Sequence, residues 1–81
     1  MGADVVLVLG IKNNEMRGSG RTKIKNLNIG NIMKTIGEKF GGNGGGHAAA
    51  AGLNIVPLPE KNQLKKIEEE FINLVKENLD N

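Results

Sequence analysis

Apolar residues recur along this chain with periods that change from block to block, and the changes mark the elements. Val5-Val6-Leu7-Val8-Leu9 is continuously aliphatic, short, and followed by Gly10. Such a run predicts a strand buried on both faces, and therefore central in its sheet. Asn13-Asn14 supplies turn chemistry, so the next strand should return antiparallel as a hairpin. From Met16 to Lys25 the pattern alternates. Arg17, Ser19, Arg21, Lys23 and Lys25 share one face, and Met16, Gly18, Gly20, Thr22 and Ile24 the other, because strand side chains change sides with period two. The outcome is a ribbon of donors backed by small or apolar positions.

Asn28 then precedes Ile29, Ile32, Met33, Ile36 and Phe40, a single stripe at helical spacing with an N-cap residue ahead of it. Gly41 ends that helix, with Lys34 and Lys39 in its later turns, where the dipole favours cations. Ala48 to Ala51 is expected to form a short helical turn, and Gly52 to Val56 a strand stopped by Pro57. Pro59 and Glu60 open a last helix running to about Leu79. It buries Leu64, Ile67, Phe71, Leu74 and Val75, keeps Lys65, Lys66, Glu69, Glu70, Lys76 and Glu77 wet, and should cover the sheet. These elements predict an α/β (α+β) domain: a small mixed sheet with an N-terminal β-hairpin, a third strand and two amphipathic helices.

Composition narrows the class. With 81 residues the chain is one domain, and with Phe40 and Phe71 as its aromatics the core must be aliphatic. The absence of cysteine removes disulfides and thiolate metal sites and is compatible with a reducing, cytoplasmic setting. The longest aliphatic run is far too short to span a bilayer, and no basic segment precedes it, so neither a membrane anchor nor a signal peptide is expected. The net charge of +2 conceals an asymmetry: up to His47 seven basic residues face three acidic ones, and beyond it four face six. The basic half favours a polyanionic partner.

That half contains Phe40-Gly-Gly-Asn-Gly-Gly-Gly-His47, a glycine density that needs a geometric reason. Gly41 and Gly42 read as a helix cap. Gly44, Gly45 and Gly46 lead directly into the histidine and are expected to form a loop whose backbone N–H groups cradle an anion. His47 at its lip can donate to phosphate in either protonation state. Catalytic groups are scarce. His47 is the only histidine, the aspartates are Asp4 and Asp80, near the two ends, and no local cluster has metal-ligand character. Ser19 and His47 have no evident orienting acid, which argues against a hydrolase triad. No catalytic residue and no metal ligand is therefore assigned in this chain, which reads as a binder.

Ser19-x-Arg21 on a strand, an amphipathic helix, then Phe-Gly-Gly, Gly-Gly-Gly-His and Ala-Ala-Gly resembles, in that order, the C-terminal DHH-associated domain of DHH-family phosphoesterases. That family includes RecJ-type single-strand exonucleases, nano-RNases and cyclic-dinucleotide phosphodiesterases. The resemblance runs from about Asp4 to Val56. It implies one domain over residues 1–81, excised at an added Met1 from a longer enzyme. The separate Asp-His-His domain of that parent would hold Mn²⁺ or Mg²⁺, with no cofactor here. It further implies that Arg21 grips phosphate with Ser19 beside it, that Gly44, Gly45 and Gly46 present donors, and that His47 reaches the substrate phosphate. Arg17, Lys23 and Lys25 would lend supporting charge. The expected partners are single-stranded nucleic acid or a short oligonucleotide and the parent's catalytic domain, with the fragment monomeric. Gly20 and Asn43 depart from the family pattern. Two other readings stand beside it. Gly41-Gly42-Asn43-Gly44 satisfies the Gly-x-x-Gly of KH-type RNA-binding modules, and a protein-interaction or regulatory domain could carry glycines for purely structural reasons.

Overall fold

A computed structural model describes residues 4–79; Met1 and Asp80 lie outside the described residues. The order of elements is β1 (Val5–Lys12), β2 (Glu15–Thr22), α1 (Ile29–Lys39), β3 (Asn43–Gly46), β4 (Ala50–Ile55) and α2 (Lys61–Leu79). The strands form one sheet in the order β1-β2-β4-β3, every neighbouring pair antiparallel. The α+β class and the N-terminal hairpin are as the sequence predicts. Asn13, in the turn, has φ 57, a conformation asparagine tolerates better than other non-glycine residues.

Both helices bury their apolar stripes against one face of the sheet. Met16, Leu53 and Ile55 from the strands meet Ile29, Ile32, Met33 and Ile36 of α1 and Ile67 and Phe71 of α2 in one cluster. No polar side chain is buried among the described residues. Burying each large aliphatic side chain contributes about 1.5–3 kcal/mol. Lys39 of α1 is ion-paired with Glu70 of α2, and α2 packs on α1 more closely than on the strands.

Local chemistry sets the ends of α1. The Asn28 side chain accepts from the Asn31 N–H at 3.0 Å, satisfying one orphan donor of the first turn. At the other end Gly41 takes φ 80, and the Gly42 N–H donates to the Gly37 carbonyl at 2.6 Å. That six-to-one closure requires a left-handed residue at Gly41.

Three expectations are corrected. First, β1 is an edge strand, not a central one: it pairs with β2 alone. Only Val5, Leu7 and Leu9 pack against the core, whereas Val6 and Val8 are 42% and 60% exposed. A run of β-branched residues satisfies a half-buried strand as readily as a buried one, and the pattern alone cannot separate them. Second, the ribbon strand stops at Thr22 rather than Lys25. The Thr22 hydroxyl donates to the Asp4 carbonyl at 3.1 Å and accepts from the Ile24 N–H at 3.0 Å, a side-chain turn that ends the ladder. Third, Ala48–Ala51 is not helical. Ala50 and Ala51 begin β4, and the His47 N–H donates to the Ala50 carbonyl at 2.9 Å, closing a hairpin with β3.

Candidate phosphate-binding site

The sheet face opposite the helices is open, and its rows follow from the pairing registers. Arg21 lies between Val6 on β1 and Ala50 on β4, and Ala50 is bonded across the hairpin by His47. The next row is Val8, Ser19, Gly52 and Gly45, and the third is Gly10, Arg17, Asn54 and Asn43. Arg17, Ser19 and Arg21 are all exposed, as the alternation predicts. Beside this ribbon the floor is alanine and glycine, so a ligand's backbone can come close to the sheet. Two shallow depressions lie on or beside this face. One is bordered by Arg21, Lys23 and Ala50, the other by Arg17, Gly45, Gly52 and Asn54. His47, exposed, lines neither.

The glycine run is not a loop before a helix but β3, an edge strand packed on α1. A methyl group on Gly44 would lie 2.0 Å from the Met33 carbonyl oxygen, and one on Gly42 would lie 2.2 Å from that of Asn54. From the helix side, a methyl on Gly37 would be 2.5 Å from the Asn43 carbonyl carbon, and one on Gly30 would be 2.7 Å from the Gly46 oxygen. Gly30 and Gly37 are seven residues apart and face the strand together, so helix and strand backbones touch. This contact was missed in the sequence, although a pair of glycines two turns apart in an amphipathic helix signals it. A methyl on Gly46 would lie 2.7 Å from Ala51 Cα of β4, and Gly45 and Gly46 also need glycine for their backbone angles. Their φ values of 150 and 148 suit glycine, and Gly45 has open space where a side chain would stand.

Ladder alternation decides which glycine amides are available. The His47–Ala50 bond closes the hairpin, so Gly45 and Asn43 direct their amides toward β4, while those of Gly44 and Gly46 point away from it, Gly44 against α1. The donor set is therefore narrower than the Gly44–Gly46 cradle expected from the sequence.

Charges divide in the same way. Arg17 is ion-paired with Glu15. That hydrogen bond, more than any other influence, holds the Glu15 carboxyl below its ordinary value. Arg21 has no ion-pair partner among the described residues. Lys23 donates its N–H to the Asp4 carbonyl at 3.0 Å and borders the Arg21 depression. Lys25 sits in the turn before α1, and no described contact ties it to this face. Among the described residues no group of three His, Cys, Asp or Glu could hold a metal ion, so the donor set does not suit Mn²⁺ or Mg²⁺. No described helix is long and apolar enough to cross a membrane.

A family model for the DHHA1 domain matches residues 1–77. The chain belongs to the DHHA1 family. These are the DHH-associated domains of DHH-family phosphoesterases, as the resemblance implied. The DHHA1 chain is also similar to a Methanocaldococcus jannaschii protein described as uncharacterized protein MJ0988. They are 39% identical over 79 residues, covering 91% of this chain. The chain spans 24% of that relative's length. Of the two departures from the family pattern, Gly20 has a local reason: a methyl there would lie 2.9 Å from Ile29 Cγ2. Gly41-Gly42-Asn43-Gly44, which suggested a KH-type loop, instead caps α1 and enters β3.

Proposed function

We propose that this DHHA1 domain grips the sugar-phosphate backbone of a short single strand. It would serve a RecJ-like or related DHH phosphodiesterase of the cytoplasm, whose Asp-His-His domain would hold Mn²⁺ or Mg²⁺ and perform hydrolysis. The observation that supports this most is the row Arg21–Ala50–His47. The backbones of Arg21 and His47 stand two strand spacings apart, about 10 Å. Only a methyl group lies between them, so two long side chains can close on one phosphate. Arg21 brings a planar fork of donors matched to phosphate oxygens. The Ser19 hydroxyl lies one row away, and the exposed Gly46 amide adds a neutral donor at the end of β3. Lys23 adds charge nearby, whereas Arg17 must first leave Glu15.

Binding of a dye-labelled oligothymidylate, followed by anisotropy across a salt series, tests this reading. Affinity falls with salt at a slope near −0.7 per phosphate neutralised. Arg21→Ala loses about 1.5–3 kcal/mol, as for a charge-assisted hydrogen bond, and flattens the slope. Lys65→Ala and Lys66→Ala, on the wet face of α2, leave both unchanged. Equal losses from all three variants would mean diffuse attraction rather than a site.

A further inference from the structure

The open edge of β1 is an unusual strand edge. Strand edges are normally blunted by charge, proline or a covering element, yet Val5 to Ile11 contains neither charge nor proline, and no described element packs along it. The hydrogen-bond pattern identifies the groups it presents. The Lys23 N–H donates to the Asp4 carbonyl, and these residues continue the β1–β2 register in which Val5 faces Thr22. Even-numbered residues of β1 therefore bond to β2, and the amides and carbonyls of Val5, Leu7, Leu9 and Ile11 point outward. None has a backbone partner among the described residues.

We propose that this edge pairs with the same edge of a second copy, antiparallel about a two-fold axis through Val8. The edge is self-complementary. Two strands related by a two-fold axis pair residues whose numbers have a constant sum, and bonding between outward-facing odd residues requires that sum to be even. Placing Val8 opposite its own copy sets Val5 against Ile11 and Leu7 against Leu9, so every outward-facing amide and carbonyl of β1 is paired. The same register sets Asp4 opposite Lys12 at both ends of the ladder. Neither side chain has an ion-pair partner among the described residues, so the match leaves no charge opposed by its like. Val8, 60% exposed on the open face, meets Val8 of the copy, while Val6, 42% exposed, lies beside Gly10. The result is one continuous sheet with both arginine ribbons on the same side, in place of the monomer expected from the sequence. The inference stands apart from the phosphate reading and survives its failure.

Sedimentation equilibrium of the 81-residue chain from micromolar to millimolar concentration tests it. A reversible monomer–dimer equilibrium is expected; a monomer throughout overturns the proposal. The register is tested with cysteines, of which the native chain has none. At a non-hydrogen-bonded pair the Cα atoms stand about 4.5 Å apart, within disulfide reach. Val8→Cys therefore cross-links on mild oxidation at least about tenfold faster than Val6→Cys, which does not oppose itself. Equal rates would reject the register. Both positions are solvent-exposed, and circular dichroism verifies that the variants fold. Asp4→Lys and Lys12→Asp each weaken the dimer by setting like charges opposite one another. The double exchange restores it, and failure to restore rejects the Asp4–Lys12 pairing.

Discussion

Gly37→Ala isolates the contact on which the site's position depends. In an exposed helix interior this change stabilises a protein by about 0.5–1 kcal/mol, because alanine has less backbone freedom to lose. Here the new methyl would stand 2.5 Å from the Asn43 carbonyl carbon and 2.6 Å from the Gly44 nitrogen. Ordinary contacts between heavy atoms are about 3.5–4 Å. Relief therefore requires α1 and β3 to part by about 1 Å, and β3 is held by its ladder to β4. Overpacking of this kind costs about 1–3 kcal/mol. Set against the helix gain, the net effect is a loss of up to about 2.5 kcal/mol, a large share of the stability of a domain this small. Urea unfolding followed by circular dichroism measures it as a lower midpoint at unchanged slope. Gly10→Ala is the control: its nearest atom would be the Arg17 oxygen at 4.0 Å, so without a clash it gains up to about 1 kcal/mol, as for a glycine inside a strand. If Gly37→Ala raises the midpoint as an ordinary helix substitution does, the helix–strand backbone contact is wrong.

Phe71→Ala removes one of the two buried residues of α2 and costs about 3–5 kcal/mol, read from the same urea midpoints. Asn28→Ala abolishes the bond to the Asn31 N–H and lowers stability by about 1 kcal/mol, with the loss of protection in hydrogen exchange concentrated in the first turn of α1. Glu15 has a lowered carboxyl pKa caused chiefly by its hydrogen bond to Arg17. Its contribution to stability is therefore present above the ordinary glutamate value and is lost as pH falls through the lowered one. Glu15→Gln removes this acid-side dependence from a pH series of unfolding midpoints; an unchanged series would show that the ion pair contributes nothing in solution.

Much of the architecture was legible because local chemistry and tertiary packing agree in α1, α2 and β2. Asn28 caps where its side chain can accept, the stripe from Ile29 to Ile36 is buried, and the alternation of Met16 to Arg21 separates wet from dry positions. The edge position of β1 was illegible because Val6 and Val8 are as apolar as their inward neighbours. Exposed valines break the hydrophobic rule without leaving a mark in the pattern. The glycine segment was misread for a different reason. Gly44 and Gly46 suit an anion loop, but in the fold their missing side chains admit the backbone of α1 and of β4. Only Gly30 and Gly37, far away in sequence, reveal that demand. Arg21 and Ser19 were legible as neighbours on one face. Their alignment with the β3–β4 hairpin depends on β4 pairing between them, a long-range register that no local pattern encodes.

Under the proposed function, Arg21 and the β3–β4 hairpin meet on one phosphate. A titration of the ¹⁵N-labelled chain with a 5′-phosphorylated dinucleotide, followed by amide and arginine Nε shifts, tests it most directly. Shifts are expected to saturate together at Arg21 Nε and at the His47 and Ala50 amides, which share its row, with Lys65 and Lys66 unmoved. Shifts spread over the lysines of α2, or a response at Arg21 without one at the hairpin, would contradict it.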